Sequence, residues 1–96
     1  MIKLKVLYQV YRKKEQDWYT YDEDKEQRYN VDSIKEAFYE FLEGANWIDT
    51  FAEEAWRKRK KTKNGFIVPT GWQENEDGKN YLTRMKFDFV RVNKKR

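Results

Sequence analysis

Ile2-Lys3-Leu4-Lys5-Val6-Leu7-Tyr8-Gln9-Val10-Tyr11 decides the fold class: Ile2, Leu4, Val6, Tyr8 and Val10 alternate with Lys3, Lys5, Leu7, Gln9 and Tyr11. A period of two sends alternate side chains to opposite faces, so the spacing predicts a long strand with one buried face. The same period returns far along the chain, where Tyr81, Thr83, Met85, Phe87 and Phe89 alternate with Leu82, Arg84, Lys86, Asp88 and Val90. Two long strands of this kind ask for partners that cover one face of a sheet. Working outward from the first, the polar stretch Arg12–Asp17 turns the chain and Trp18-Tyr19-Thr20-Tyr21, rich in strand-forming rings, pairs back as a hairpin. Asp22–Asn30 is polar and aperiodic and reads as a loop.

Between the strands the period changes. Ser33 with Glu36 forms a capping box, and Ile34, Ala37, Phe38, Phe41 and Leu42 make one apolar stripe. Gly44 is placed to end this helix at its C′ position, and Asn46 to cap a second, with Asp49 in its first turn and Ile48, Phe51, Ala52 and Ala55 on its stripe. The short link makes the pair a helical hairpin. Asn64-Gly65 breaks the second helix, Phe66-Ile67-Val68 is a short strand, and Pro69 marks it as an edge strand or a strand terminus. Asp77-Gly78 signals a hairpin before the last strand. The expected order is ββααββ, an α+β fold in which a helical hairpin packs on one face of an antiparallel sheet, in one domain over residues 1–96.

Composition restricts the chemistry. The chain has 96 residues with no Cys and no His, so disulfides, thiolate nucleophiles, His-based proton transfer and Cys/His metal sites are excluded. No apolar run approaches the ~18 residues of a membrane helix, and lysines interrupt the first residues too often for a signal peptide; the expectation is a cytoplasmic protein with no membrane partner. Charged residues make up 40% and aromatics 18% of the chain, and that wealth of rings supports a compact aromatic core against disorder.

The net charge of +4 hides segregation. Residues 22–56 carry eleven acidic against three basic residues, whereas Arg57, Lys58, Arg59, Lys60, Lys61 and Lys63 follow as a basic run. Segregated charge steers a charged partner, or the two signs fold against each other and cancel. Asp22-Glu23-Asp24-Lys25-Glu26 is the one carboxylate cluster dense enough to suggest a hard cation. It fails as a calcium loop, because Gln27 stands at the sixth position and Ser33 at the twelfth. No metal or cofactor is expected.

The basic run is the strongest candidate site. Placed at the end of the second helix, with Arg57, Lys60 and Lys61 on a shared face, it would neutralise several phosphates, or merely complement the helix dipole. Trp47 and Trp72 are the candidates for exposed anchors, since Trp is enriched at interface hot spots. Rings also interleave with cations at Tyr8-Tyr11-Arg12, Trp18-Tyr19-Tyr21 and Arg84-Lys86-Phe87-Phe89; on an open sheet face such rings could stack unpaired bases, but core packing is the expected role of most of them.

In its composition, short, rich in Lys, Glu, Asn and aromatics and free of Cys and His, the whole chain resembles small accessory proteins of phages and mobile elements of low-GC Gram-positive bacteria, including the anti-CRISPR type. The resemblance implies a stoichiometric, non-enzymatic binder that docks on a host protein or nucleoprotein complex, as an inhibitor of a defence nuclease such as CRISPR-Cas does. The alternative is direct nucleic-acid binding through the basic helix end. An enzyme, such as a carboxylate-metal nuclease, ranks last because the usual catalytic bases are missing.

Overall fold

Alternation and capping explain most of the architecture. The computed structural model describes residues 1–46, 49–74 and 80–92, with the side chains of residues 49, 50, 71–74, 80 and 81 left aside. Its elements run β1 (Ile2–Arg12), β2 (Asp17–Glu23), β3 (Gln27–Tyr29), α1 (Ile34–Gly44), α2 (Asp49–Lys58), β4 (Lys60–Lys61), β5 (Gly65–Glu74) and β6 (Asn80–Arg91). The pairings are antiparallel throughout, in the order β2-β1-β6-β5-β4, with β3 alongside β1 next to β2. This is the expected α+β fold, with two short strands, β3 and β4, added to ββααββ.

The two long strands lie side by side at the centre, Ile2 opposite Arg91 and Val10 opposite Thr83. Ile2, Leu4 and Val6 of β1, Phe66 and Val68 of β5, and Met85, Phe87 and Phe89 of β6 are buried on one face, against Ala37, Phe38, Phe41 and Leu42 of α1 and Ala52 and Ala55 of α2. Phe38 is the hub: wholly buried, it meets Phe87 at 5.1 Å and Phe66 at 5.2 Å edge-on, and Trp56 at 5.7 Å. Edge-to-face rings of this kind gain roughly 0.5–1.5 kcal/mol per pair beyond area burial, which is how a chain with few aliphatic residues supports a core.

Several local expectations are corrected. The polar stretch after Tyr21 is not a loop throughout. β2 runs on to Glu23 and Gln27–Tyr29 pairs with β1, because the acids there find partners on it: Asp24 accepts from the Tyr8 hydroxyl at 2.7 Å, and Lys5 and Lys3 pair with Glu23 and Glu26. Ser33 caps α1 as expected, its Oγ accepting from Glu36 N–H at 3.0 Å. Gly44, however, is the last helical residue. Asn46 takes the left-handed conformation at φ 61° and donates its N–H to Glu43 O at 3.0 Å, so it closes α1 as a C′ residue. Asn tolerates this backbone because its short polar side chain bonds locally.

α2 ends at Lys58, and Asn64-Gly65 lies instead in the turn joining β4 to β5, where Thr62 N–H donates to Gly65 O and Gly65 N–H to Thr62 Oγ1. Pro69 does not end its strand. β5 continues to Glu74 past an irregularity between Pro69 and Gly71, beyond the reach of the two-residue β4. There the missing proline N–H falls on a sheet edge and costs no ladder bond. The opposite edge, β2, is blunted too: Trp18 and Glu23 donate their N–H groups to the carboxylates of Asp17 and Asp22. Trp47, Ile48 and the Asp77-Gly78 turn lie outside the described residues. Among those described, no helix is long and apolar enough to cross a membrane.

Candidate functional site

The basic run does not form one helix face. Arg57 and Lys58 complete α2 and both pair with Glu54, at 2.8 and 3.7 Å, one turn back. Arg59 leaves the helix axis and folds over Trp56, its guanidinium carbon 3.7 Å from the ring centroid, and donates to the Trp56 carbonyl. That bond satisfies a carbonyl of the last turn and fixes a planar cation at the negative end of the helix dipole. Next come Lys60 and Lys61, neighbours on a strand and therefore on opposite faces. Lys61 pairs with Phe66 on the helix side, and Lys60 with Ile67 on the other. Lys63 sits at the β4–β5 turn.

This division brings three of the six cations together. Arg59, Lys61 and Lys63 line a groove of about 680 Å³ between the end of α2, the start of α1 and the ends of β5 and β6. Arg91, from the far end of β6, is the fourth cation on its wall. The sequence reading missed Arg91: it lies in a strand 28 positions beyond Lys63, and only the β1–β6–β5 pairing carries it there. Its Nη1 donates to Asp32 O at 2.7 Å, which ties the entrance of α1 to the sheet. The signal that could have found it is the two-residue alternation of β6, continued past Phe89.

Trp56, Ile34, Phe66 and Phe89 supply the apolar part of the wall, and Thr62 and Asn64 its neutral polar part. Among the described residues no carboxylate lines it. Lys35 of α1 adds a fifth cation close by, its Nζ 5.7 Å from the Trp56 ring. Four cations around one concavity, with no counter-charge among the described residues of its wall, raise the local concentration of anions. Its hydroxyl, amide and cationic groups are hydrogen-bond donors of the kind that hold an anionic ligand.

The remaining candidates fare differently. Trp72 pairs with Leu82 in β5, but its side chain is outside the described set. Among the described residues no group of acidic side chains is arranged to hold a metal ion. Of the interleaved rings, Phe87 and Phe89 are in the core and Tyr8 packs against it, whereas Tyr11, Trp18, Tyr19 and Tyr21 stay outside, contrary to the expectation that most are core. Tyr19 and Tyr21 are 44% and 51% exposed.

No family model matches this chain, and no curated protein or solved structure matches it significantly. The functional reading therefore rests on the groove and its charges.

Proposed function

We propose that this chain is a small non-enzymatic binding protein that docks on a nucleoprotein complex in the cytoplasm and engages its nucleic-acid strand through the basic groove. One observation carries the reading: Arg59, Lys61, Lys63 and Arg91 converge on one concavity on whose wall, among the described residues, no carboxylate lies. Two of these cations are held in place beforehand, Arg59 by Trp56 and Arg91 by the Asp32 carbonyl. A guanidinium fixed by stacking loses less rotamer freedom when it grips a phosphate. The composition suggests the setting, a phage or mobile-element accessory protein that inhibits a host defence nuclease.

The test is a salt titration. Each phosphate neutralised on a single strand contributes about −0.7 to the slope of log affinity against log salt. Four contacts give a slope near −2.8, a loss of roughly 50-fold between about 50 and 200 mM salt. Fluorescence anisotropy with labelled single strands should show this steep decline, and Lys61→Glu with Lys63→Glu should flatten it. Both lysines are exposed, so the double variant should fold normally. An affinity that is insensitive to salt, or a slope that survives the double variant, would remove the groove from the binding surface.

A further inference from the structure

The face of the sheet opposite the helices has its own organisation. The register places Lys60, Ile67, Lys86, Leu7 and Glu23 in one row across five strands. One step along, Arg84 lies opposite Gln9 and Gln9 opposite Thr20, and beyond them Tyr11 lies opposite Trp18. Side-chain bonds follow these rows: Arg84 Nε donates to Gln9 Oε1 at 2.7 Å, and Gln9 Nε2 to Thr20 Oγ1 at 3.0 Å. The Arg84 guanidinium lies 3.9 Å over the Trp18 ring, and Tyr11 meets that ring edge-on at 5.5 Å. Three strands thus hold one planar cation against one indole.

None of these side chains belongs to the hydrophobic core; Gln9 is itself buried and its amide is satisfied by Arg84 and Thr20, whereas the rings of Trp18 and Tyr11 lie outside the core. Burial lowers the Arg84 pKa, opposed by the charge of Asp17, yet among the described residues no carboxylate lies within ion-pair distance of Arg84 or of Lys86. A fixed, partly desolvated guanidinium with no carboxylate at ion-pair distance favours an anionic ligand, and the indole beside it favours a flat one. An unpaired nucleotide has both properties, and stacking on aromatic and guanidinium planes is how sheet faces hold single strands.

We propose that Trp18, Tyr11 and Arg84 form a stacking platform for an unpaired base, with Lys86, about 7 Å along β6, contacting a neighbouring phosphate. This rests on the nucleic-acid reading above and makes the preferred ligand single-stranded. A duplex keeps its bases stacked inside and offers the platform only backbone.

The experiment compares a labelled oligothymidylate, an abasic strand of equal length and a duplex, each bound to the wild-type protein, Trp18→Leu, Arg84→Lys and Lys61→Glu. The wild type should prefer oligothymidylate to the abasic strand. Trp18→Leu should weaken oligothymidylate binding roughly 5- to 150-fold, the range of one lost stacking contact, and leave the abasic strand unchanged. Arg84→Lys keeps the charge and removes the plane, so it should reduce the preference for bases with the salt slope intact; circular dichroism checks that both variants fold. Lys61→Glu should weaken all three ligands. If the wild type binds strands but does not tell oligothymidylate from abasic, or if Trp18→Leu weakens both alike, the platform is refuted and the groove stands. If the wild type binds none of the three, both readings fall, and a protein partner becomes the explanation of both surfaces.

Discussion

One substitution made at two positions tests the fold closely, because glycine to alanine should act in opposite directions at Gly65 and Gly44. At Gly65, where β5 begins, an added Cβ would fall deep inside the envelope of the Phe87 carbonyl oxygen and 2.9 Å from Phe89 Cδ2. The obstacle is backbone of the adjoining strand, and β6 is fixed on its other side by β1, so it cannot yield alone. Moving β5 away from a spacing of about 4.8 Å stretches ladder bonds worth about 1 kcal/mol each. With overpacking, the cost should reach about 3 kcal/mol. A domain of this size has roughly 5–14 kcal/mol of stability, so the variant loses a sizeable part of it.

At Gly44 nothing lies within 4 Å of the added Cβ, and the residue is helical rather than left-handed. Alanine there restricts only the unfolded chain and should add about 0.4–1 kcal/mol. Urea unfolding followed by tryptophan fluorescence reads both changes. With an m-value of about 1.5 kcal/mol/M, the midpoint should fall by about 2 M for Gly65→Ala and rise by about 0.3–0.7 M for Gly44→Ala. A lower midpoint for Gly44→Ala would mean that Gly44, not Asn46, is the left-handed cap. An unchanged midpoint for Gly65→Ala would refute the close β5–β6 approach.

Three further perturbations probe other links. Asn46→Ala puts a Cβ residue with no local hydrogen bond at φ 61° and should cost about 1 kcal/mol, a fall in Tm of roughly 4–8 °C by calorimetry, whereas Asn46→Gly should hold or raise Tm. Phe38→Ala empties the centre of the ring cluster and should cost about 3–5 kcal/mol; a Tm within a few degrees of wild type would show that the cluster is not the core's centre. The Tyr8 phenol is pushed up by burial first, then by its hydrogen bond to Asp24 and the charges of Asp24 and Asp22. The folded state therefore keeps this proton at pH values where the unfolded chain releases it. Its stabilisation is complete below the ordinary tyrosine value of about 10 and is lost as pH rises beyond that. Urea midpoints from pH 8 to 11 should fall less steeply for Tyr8→Phe than for wild type, and equal slopes would contradict the assignment.

Local signals settled much of this protein. Alternation in Ile2–Val10 and Thr83–Phe89, the Ser33 cap and the stripe from Ile34 to Leu42 each depend on neighbours within a few residues, so the sequence by itself determined the two long strands, the helix start and the α+β class. Where Asp22–Tyr29 pairs and how far β5 runs past Pro69 depend on distant strands, and no local period announces them. The same holds for the site. The run Arg57–Lys63 is plain as composition, but the end of α2 at Lys58 and the two-residue β4 decided its use, turning Arg57 and Lys58 to Glu54, Lys60 to the sheet's other face, and Arg59, Lys61 and Lys63 into one groove. Arg91 reaches that groove, and Arg84 reaches Trp18, across sequence separations that only strand pairing closes. Charge and periodicity are properties of the chain, whereas which charges share a concavity is set by sheet order, and sheet order is fixed by the burial of one whole face at once.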